Sequence, residues 1–309
     1  IERGEQALLL LNRRGTATFI LCRACGYVAR CPACDIPLTF HKRGEGGQLI
    51  CHYCGHQSAP LRNCPQCGSE RIRYFGAGTE SVAQAVESEF PSARVLRWDR
   101  DAAHGRGAHE AIWTRFASGE ADVLVGTQMI VKGLDLPRVT LVGVMLAETA
   151  LGLPDYRAAE RTFQLLTQAA GRAGRGWRGG RVILQTYQPE HYAIQAAAHH
   201  DYETFYQREL EYRHLLDYPP YKRLVRLLFS APSPAQAQRE AEAAAEVLRT
   251  RIATEKLSAT RLIGPTAAPF ARLDGVYYWH IIACTADPLR LIGEAGAHWV
   301  VDVDPTEIL

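Results

Sequence analysis

Residues Ala121–Met145 read ADVLVGTQMIVKGLDLPRVTLVGVM, and this stretch decides the fold class. Two apolar runs rich in Val and Leu, Asp122–Gly126 and Val139–Met145, bracket a loop carrying Gln128, Lys132, Gly133 and Asp135. Apolar runs without polar alternation belong to strands covered on both faces, as in parallel sheets. Ala7–Asn12, Arg94–Trp98 and Arg181–Thr186 repeat the pattern. Residues 79–90, 108–118 and 155–173 read as helices between them, with Thr79 placed to cap the first and Glu80 in its first turn. Strands alternating with such helices predict an α/β lobe, a parallel sheet with helices on both faces. Open sheets of this kind place ligands beyond the strand ends, where Gly126–Gly133 falls.

Between the first strand and the rest lies a cysteine-rich module. Eight of the nine cysteines form four CxxC pairs: Cys22/Cys25, Cys31/Cys34, Cys51/Cys54 and Cys64/Cys67. Zinc takes four thiolates in a tetrahedron, and each CxxC turn presents two together. Eight thiolates make two closed structural sites with no open position for a catalytic water. Gly26, Gly55 and Gly68 follow three of the pairs, and Asp35 follows the fourth. A positive φ at that position lets backbone N–H groups face the sulfurs. A disulfide framework or redox dithiols fit less well, because four CxxC copies serve neither purpose and no secretory signal opens the chain. The spacing favours Cys31, Cys34, Cys51 and Cys54 on one metal and Cys22, Cys25, Cys64 and Cys67 on the other; a crossed arrangement is the alternative. His41, His52 and His56 read as surface histidines, and Cys284, in an apolar run, as a core thiol.

Composition fits a globular chain of two or three domains, with 309 residues, 47% hydrophobic and 22% charged. No apolar run is long enough for a membrane span. The chain opens on Ile1 rather than Met, which points to a piece of a longer polypeptide. Residues 1–74 carry 10 Lys/Arg against 5 Asp/Glu, whereas the remainder carries 25 against 28. Basic charge beside a cysteine module is a footprint for nucleic acid.

Gln168, Arg172 and Arg175 are spaced i, i+4, i+7, which on a helix puts them on one face. Two guanidiniums so placed suit a polyphosphate, or else form a solvated basic helix end. Further on, Asp201–Leu216 reads as a connector helix and Pro219-Pro220 breaks the chain. Strands at Leu224–Ser230, Arg261–Ile263, Val276–Cys284 and Trp299–Val303, with helices at 234–256 and 288–296, predict a small α+β domain. Tyr277, Tyr278 and Trp279 with Arg272 read either as a base-stacking group or as core aromatics.

Gln168–Arg175, QAAGRAGR, resembles the sixth motif of superfamily-two helicases, and Gly126–Pro137, GTQMIVKGLDLP, resembles their fifth. With four CxxC pairs between Asn12–Gly15 and Gly76–Glu80, the resemblance narrows to the PriA family, the primosomal protein N′ of bacteria. RWDRD at Arg97–Asp101, PDYRAAER at Pro154–Arg161, YPPY at Tyr218–Tyr221 and VDVDP at Val301–Pro305 extend it over nearly the whole chain. Leu136 stands where that family has Phe, and Glu148 where it often has Asp.

The resemblance implies a RecA-like second helicase lobe at residues 1–18 and 76–200. Inserted in it is a two-zinc module at 19–75, followed by the connector at 201–216 and an α+β C-terminal domain at 217–309. It implies the nested pairing of the cysteines. It places Arg172 and Arg175 as arginine fingers at an ATP γ-phosphate, Gln168 at the opening of that motif and Asp135 near the ribose. No GxxxxGK[ST] loop or DExH box occurs in the 309 residues, so ATP and Mg²⁺ are expected only with an upstream lobe. The implied role is replication restart in the bacterial cytoplasm, at the nucleoid. The implied partners are forked and single-stranded DNA, single-strand-binding protein, primosome components and the replicative helicase loader. A zinc-ribbon protein acting on RNA or transcription is the competing class, and the two helicase-like motifs argue against it.

Overall fold

A computed structural model describes residues 1–11, 18–41, 47–74, 78–99, 102–103, 107–131, 136–153, 155–174, 179–294 and 299–306. Strand β1 spans Gln6–Leu11. The cysteine-rich segment then supplies five short strands, β2 (Thr18–Cys22), β3 (Thr39–His41), β4 (Gln48–Ile50), β5 (Gln57–Ser58) and β6 (Ile72–Tyr74). Next come α1 (Thr79–Glu89), β7 (Val95–Trp98), α2 (Ala108–Ser118), β8 (Val123–Gly126), β9 (Val139–Met145), α3 (Ala158–Ala170), β10 (Arg181–Leu184) and α4 (Tyr192–His199).

The chain forms two compact units. One comprises Ile1–Tyr27, Asn63–Gly152 and Arg157–Tyr206; the other comprises Val28–Arg62, Leu153–Tyr156 and Gln207–Leu309. This division cuts across the expected module at 19–75: the first and fourth CxxC pairs lie in the first unit, the second and third in the other.

The first unit is built on a five-stranded sheet in the order β10-β9-β1-β8-β7, parallel throughout. The earliest strand is therefore central, with Leu8 beside Leu124 on one side and Val142 on the other. Helix α1 covers one face, where Ala83 packs on Val123 and Val125. Phe116, Phe163, Leu166 and Ala193 close the other face over Leu8, Leu10 and Leu124. This is the RecA-like lobe, with β2 and β6 pairing antiparallel beside the outer cysteines.

Two local details depart from expectation. Thr79 does not cap α1; Gly78 occupies the N-cap without a side-chain bond. The Thr79 hydroxyl is fully buried and donates instead to the Asp99 carboxylate, just beyond β7. Asp99 also accepts from Arg97 at 3.1 Å and from the Ala102 N–H at 2.9 Å. Burial alone would raise that carboxyl, but the Thr79 bond and then the others outweigh it and hold it below the usual aspartate range. The third helix stops at Ala170, short of the expected residue 173.

In the second unit β3, β4 and β5 form a small antiparallel sheet. The rest begins within α5 (Tyr202–Leu215) and continues through β11 (Arg223–Ala231), α6 (Pro234–Thr254), β12 (Arg261–Leu273), β13 (Val276–Thr285), α7 (Pro288–Ile292) and β14 (Val300–Val303). The four strands are antiparallel in the order β12-β13-β11-β14. Ser233 caps α6, accepting from the Gln236 N–H at 3.3 Å, with Pro234 in the first turn. Ala237, Ala241, Ala244, Ala245 and Leu248 form the buried stripe of α6. Their small side chains let the helix lie close on Val225, Leu227, Phe229 and Ile281. Trp279 packs against this core, and Arg272 lies over the Tyr277 ring at 5.4 Å. Of the two readings of that aromatic run, Trp279 follows the core one.

Candidate metal centres and the turn after the third helix

The four CxxC turns share one backbone design. The N–H of the residue after the second cysteine donates to the carbonyl of the first in each: Gly26 to Cys22, Asp35 to Cys31, Gly55 to Cys51 and Gly68 to Cys64, all at 2.9 Å. The N–H of each first cysteine closes the turn on the residue five positions on, at 2.8–2.9 Å. This geometry needs a positive φ, which is 76°, 75° and 72° at the glycines and 52° at Asp35. Asp tolerates the left-handed region better than most side chains.

The thiols gather in two sets of four. Cys22, Cys25, Cys64 and Cys67 make one and Cys31, Cys34, Cys51 and Cys54 the other, the sulfurs of each set lying within 4.8 Å of one another. Measured separations are 3.7 Å for Cys22–Cys67, 3.6 Å for Cys25–Cys64 and 3.5 Å for Cys31–Cys54. A disulfide needs about 2.05 Å. A tetrahedron with Zn–S near 2.3 Å has edges of about 3.8 Å, so the spacing fits zinc. Four crowded thiols also share protons unevenly: burial pushes Cys31 up to about 12, while the hydrogen bond from Cys34 pulls Cys51 down to about 5. A dication removes that conflict by letting all four ionise. The outer set keeps Cys25 and Cys67 exposed, whereas three of the inner four are buried.

The inner set is supported by tyrosines. Tyr53, within the third CxxC turn, and Tyr218 are both fully buried. The Tyr53 hydroxyl accepts from the Tyr156 N–H at 3.3 Å, and the Tyr156 and Tyr218 rings stack at 5.2 Å. The Tyr218 hydroxyl donates to the Cys34 carbonyl at 3.4 Å, and the Tyr212 hydroxyl to the Asp35 carboxylate at 3.1 Å. Such outer contacts orient metal ligands. The sequence signal for Tyr218 was the YPPY run; nothing marked Tyr53 or Tyr212.

His52 is not the surface histidine expected. It is buried, its Nε2 lies 2.9 Å from the Nε2 of His41, and its carbonyl accepts from His280 Nε2 at 2.8 Å. Burial and then the neighbouring His41 push its pKa down to about 4. Neither His41 nor His52 belongs to a thiol set.

Helix α3 stops inside the QAAGRAGR stretch, between Gln168 and Arg172. With α3 ended at Ala170, Arg172 and Ala173 donate N–H groups to Ala169 at 3.0 Å and Ala170 at 3.3 Å in a tight turn. Gly174 then turns the chain at φ 72° and donates to the Val139 carbonyl at 3.1 Å. A Cβ on Gly174 would fall 2.6 Å from the Gly180 nitrogen, so only glycine permits this crossing. Gln168 is exposed on the helix and Arg172 is half-buried in the turn. Asp135 and Arg175 lie outside the described residues.

Glu148 stands out at the opposite end of β9, just after Met145. Leu146, left-handed at φ 54°, turns the chain out of β9 into a short 3₁₀ segment, Ala147–Thr149. This buries Glu148, whose Oε1 accepts from the Tyr187 N–H at 3.2 Å.

Comparison with known proteins agrees with these features. Residues 31–58 match the PriA DNA helicase Cys-rich region (CRR) domain, 71–176 the helicase conserved C-terminal domain, and 214–306 the primosomal protein N C-terminal domain. Replication restart protein PriA of Bacillus subtilis (strain 168) is 49% identical over 282 residues, covering 91% of this chain and 34% of the relative. Its counterpart in Synechocystis sp. is 41% identical over 315 residues, covering 98% and 37%. The chain therefore spans about a third of the length of these relatives. The helicase domain of Pyrococcus furiosus Hef overlaps 60% of this chain and 22% of its own at 16% identity, with a TM-score of 0.27. The paired cysteine turns, the parallel lobe and the α+β C-terminal domain coincide with matches along almost the entire sequence, and the chain belongs to the PriA family of replication restart proteins.

Proposed function

We propose that this chain is the part of a replication restart factor that binds abandoned forks and D-loops and nucleates primosome assembly, with two structural zinc ions. The carrying observation is the pair of closed four-thiol sets, whose spacing fits zinc, in a front segment with a twofold excess of basic over acidic residues. Zinc would be held by Cys22, Cys25, Cys64 and Cys67, and by Cys31, Cys34, Cys51 and Cys54. It would supply fixed loop geometry rather than chemistry, because four thiolates leave no position for a reacting water. Single-strand-binding protein, primosome components and the helicase loader are the proposed partners, and the bacterial cytoplasm at the nucleoid the proposed location. Among the described residues no helix is long and apolar enough to cross a membrane.

A second reading is favoured by the match of residues 71–176 to a helicase C-terminal domain: the chain serves an ATP-dependent 3′→5′ DNA helicase. ATP and Mg²⁺ would then be held mainly by an upstream lobe, with Arg172 and Arg175 directed at the γ-phosphate, Gln168 beside them and Asp135 toward the ribose. On both readings the chain alone does not hydrolyse ATP.

The test is a titration of the purified chain with a synthetic fork over a range of salt, alongside elemental analysis. Two zinc equivalents and an affinity falling steeply with salt are expected, since phosphate contacts release counterions. A fork affinity indifferent to salt, or a chain with oxidised cysteines and no zinc, overturns the reading. Steady-state ATP turnover by the chain would overturn the last statement alone.

A further inference from the structure

We propose that a cleft beside the first CxxC turn takes one unpaired nucleobase of a single-stranded nucleic acid, an inference that rests on the DNA-binding reading above. The cleft has a volume of about 270 Å³, and Cys25, Tyr27, Gln66, Tyr187, Gln188 and His191 are among its lining residues. All of them lie in the first unit.

Its walls are fixed before any ligand arrives. On one side the Cys22 N–H donates to the Tyr27 carbonyl and the Gly26 N–H to the Cys22 carbonyl, both at 2.9 Å. On the other, the Tyr187 N–H is held by Glu148 at 3.2 Å, and Gln188 Nε2 donates to the Gly26 carbonyl at 3.0 Å. The two sides meet closely at Gly26, where a Cβ would fall 2.2 Å from the Tyr187 carbonyl oxygen. A preformed cleft spares its ligand the cost of ordering loops.

Size, lining and charge select the occupant. The volume lies just below the range of about 300–1,000 Å³ typical of small-molecule sites, so it admits a single planar ring system and not a duplex. Tyr27 and Tyr187 contribute aromatic residues to the lining, a residue type that binds any base by stacking, while the His191 ring already stacks on Tyr192 at 4.7 Å. The Gln66 amide, exposed at the rim, carries both a donor and an acceptor for a base edge. Glu190 also lines the cleft and is exposed, which disfavours a phosphate inside it. Phosphates are served outside: Arg23, Arg71 and Arg73 are exposed on the adjoining turn and strand, with Glu70 the acidic residue among them. The Arg23 N–H donates to the Arg71 carbonyl at 2.9 Å, which keeps the first two together.

The experiment measures binding of the purified chain to a single-stranded oligonucleotide containing 2-aminopurine and to a blunt duplex of equal length. Quenching of 2-aminopurine on binding is expected. Tyr27→Ala is expected to weaken single-strand binding roughly tenfold, the size of one base–aromatic stack, and to leave duplex binding and zinc content unchanged. Tyr27→Phe retains the ring and is expected to bind as the unsubstituted chain does. Gln66→Trp, at an exposed position, fills the cleft and is expected to weaken single-strand binding even should Tyr27→Ala lose its metal. If zinc-loaded Tyr27→Ala and Gln66→Trp bind single strands as well as the unsubstituted chain, or if they lose duplex binding equally, the base subsite is overturned while the DNA-binding reading stands. If the unsubstituted chain binds neither probe, both fall.

Discussion

The sulfurs of Cys22 and Cys67 lie 3.7 Å apart although the two residues are 45 positions apart in sequence. The whole inner segment, including the other four-thiol set, is strung between them. A metal at the outer set therefore closes a loop of that length, and losing it is expected to release far more chain than one CxxC turn.

Substituting Cys64→Ala should lower zinc from two equivalents to one and destabilise the first unit. Cys51→Ala should also remove one equivalent but act on the other unit, where Tyr218 meets the Cys34 carbonyl. Structural zinc contributes on the order of 10 kcal/mol or more in small modules, so each loss should abolish local structure. Elemental analysis with hydrogen exchange checks this; retention of two equivalents by either variant would contradict it.

Gly26→Ala combines a positive φ with a Cβ 2.2 Å from the Tyr187 carbonyl. The left-handed conformation alone costs about 1–2 kcal/mol for a residue with a Cβ. The observed loss in urea unfolding should exceed that figure, because the clash involves backbone. Gly68→Ala, also left-handed at φ 72° but with open space around it, should lose only the conformational part.

Thr79→Val removes the hydroxyl that donates to buried Asp99 and should cost roughly 1–3 kcal/mol at neutral pH. The Asp99 carboxyl is depressed in the folded state, so its contribution is present above the unfolded value near 3.9 and fades as pH falls through the lower folded value. The gap between variant and parent should thus narrow in acid below about pH 4. Chemical unfolding at several pH values measures it.

Ala241→Leu would overfill the contact of α6 with its sheet, since Ala241 is fully buried against the β11 and β13 core. A loss of about 1–3 kcal/mol is expected. Leu124→Ala, in the middle of the parallel sheet, should cost about 2–5 kcal/mol through the cavity it leaves. Thermal unfolding of the two variants should report on different units.

Much of the fold was legible because apolar runs declare themselves. All five strands of the parallel sheet fall within one or two residues of the limits read from composition, as do the four strands of the C-terminal sheet apart from β12, which runs on to Leu273. The extension of β12 was hidden by Gly264, Pro265 and Pro269, residues that read as breakers. Thr79 misled for a related reason: a threonine before a helix can cap it or serve a buried partner, and Asp99 lies 20 residues away. The i, i+4 step from Gln168 to Arg172 leaves the helix because α3 stops at Ala170, with Gly171 as its C-cap; Arg175 lies outside the described residues.

Local chemistry by itself determined which segments become strands and helices, which eight cysteines form turns, and where positive φ is needed, because each is a property of neighbouring residues. Only the tertiary structure decided which thiols stand together, that Tyr53, Tyr212 and Tyr218 brace the inner set, and that Gly26 abuts the Tyr187 carbonyl. Those relationships join residues up to 184 positions apart, and they arise from how packed elements meet, which no local pattern encodes.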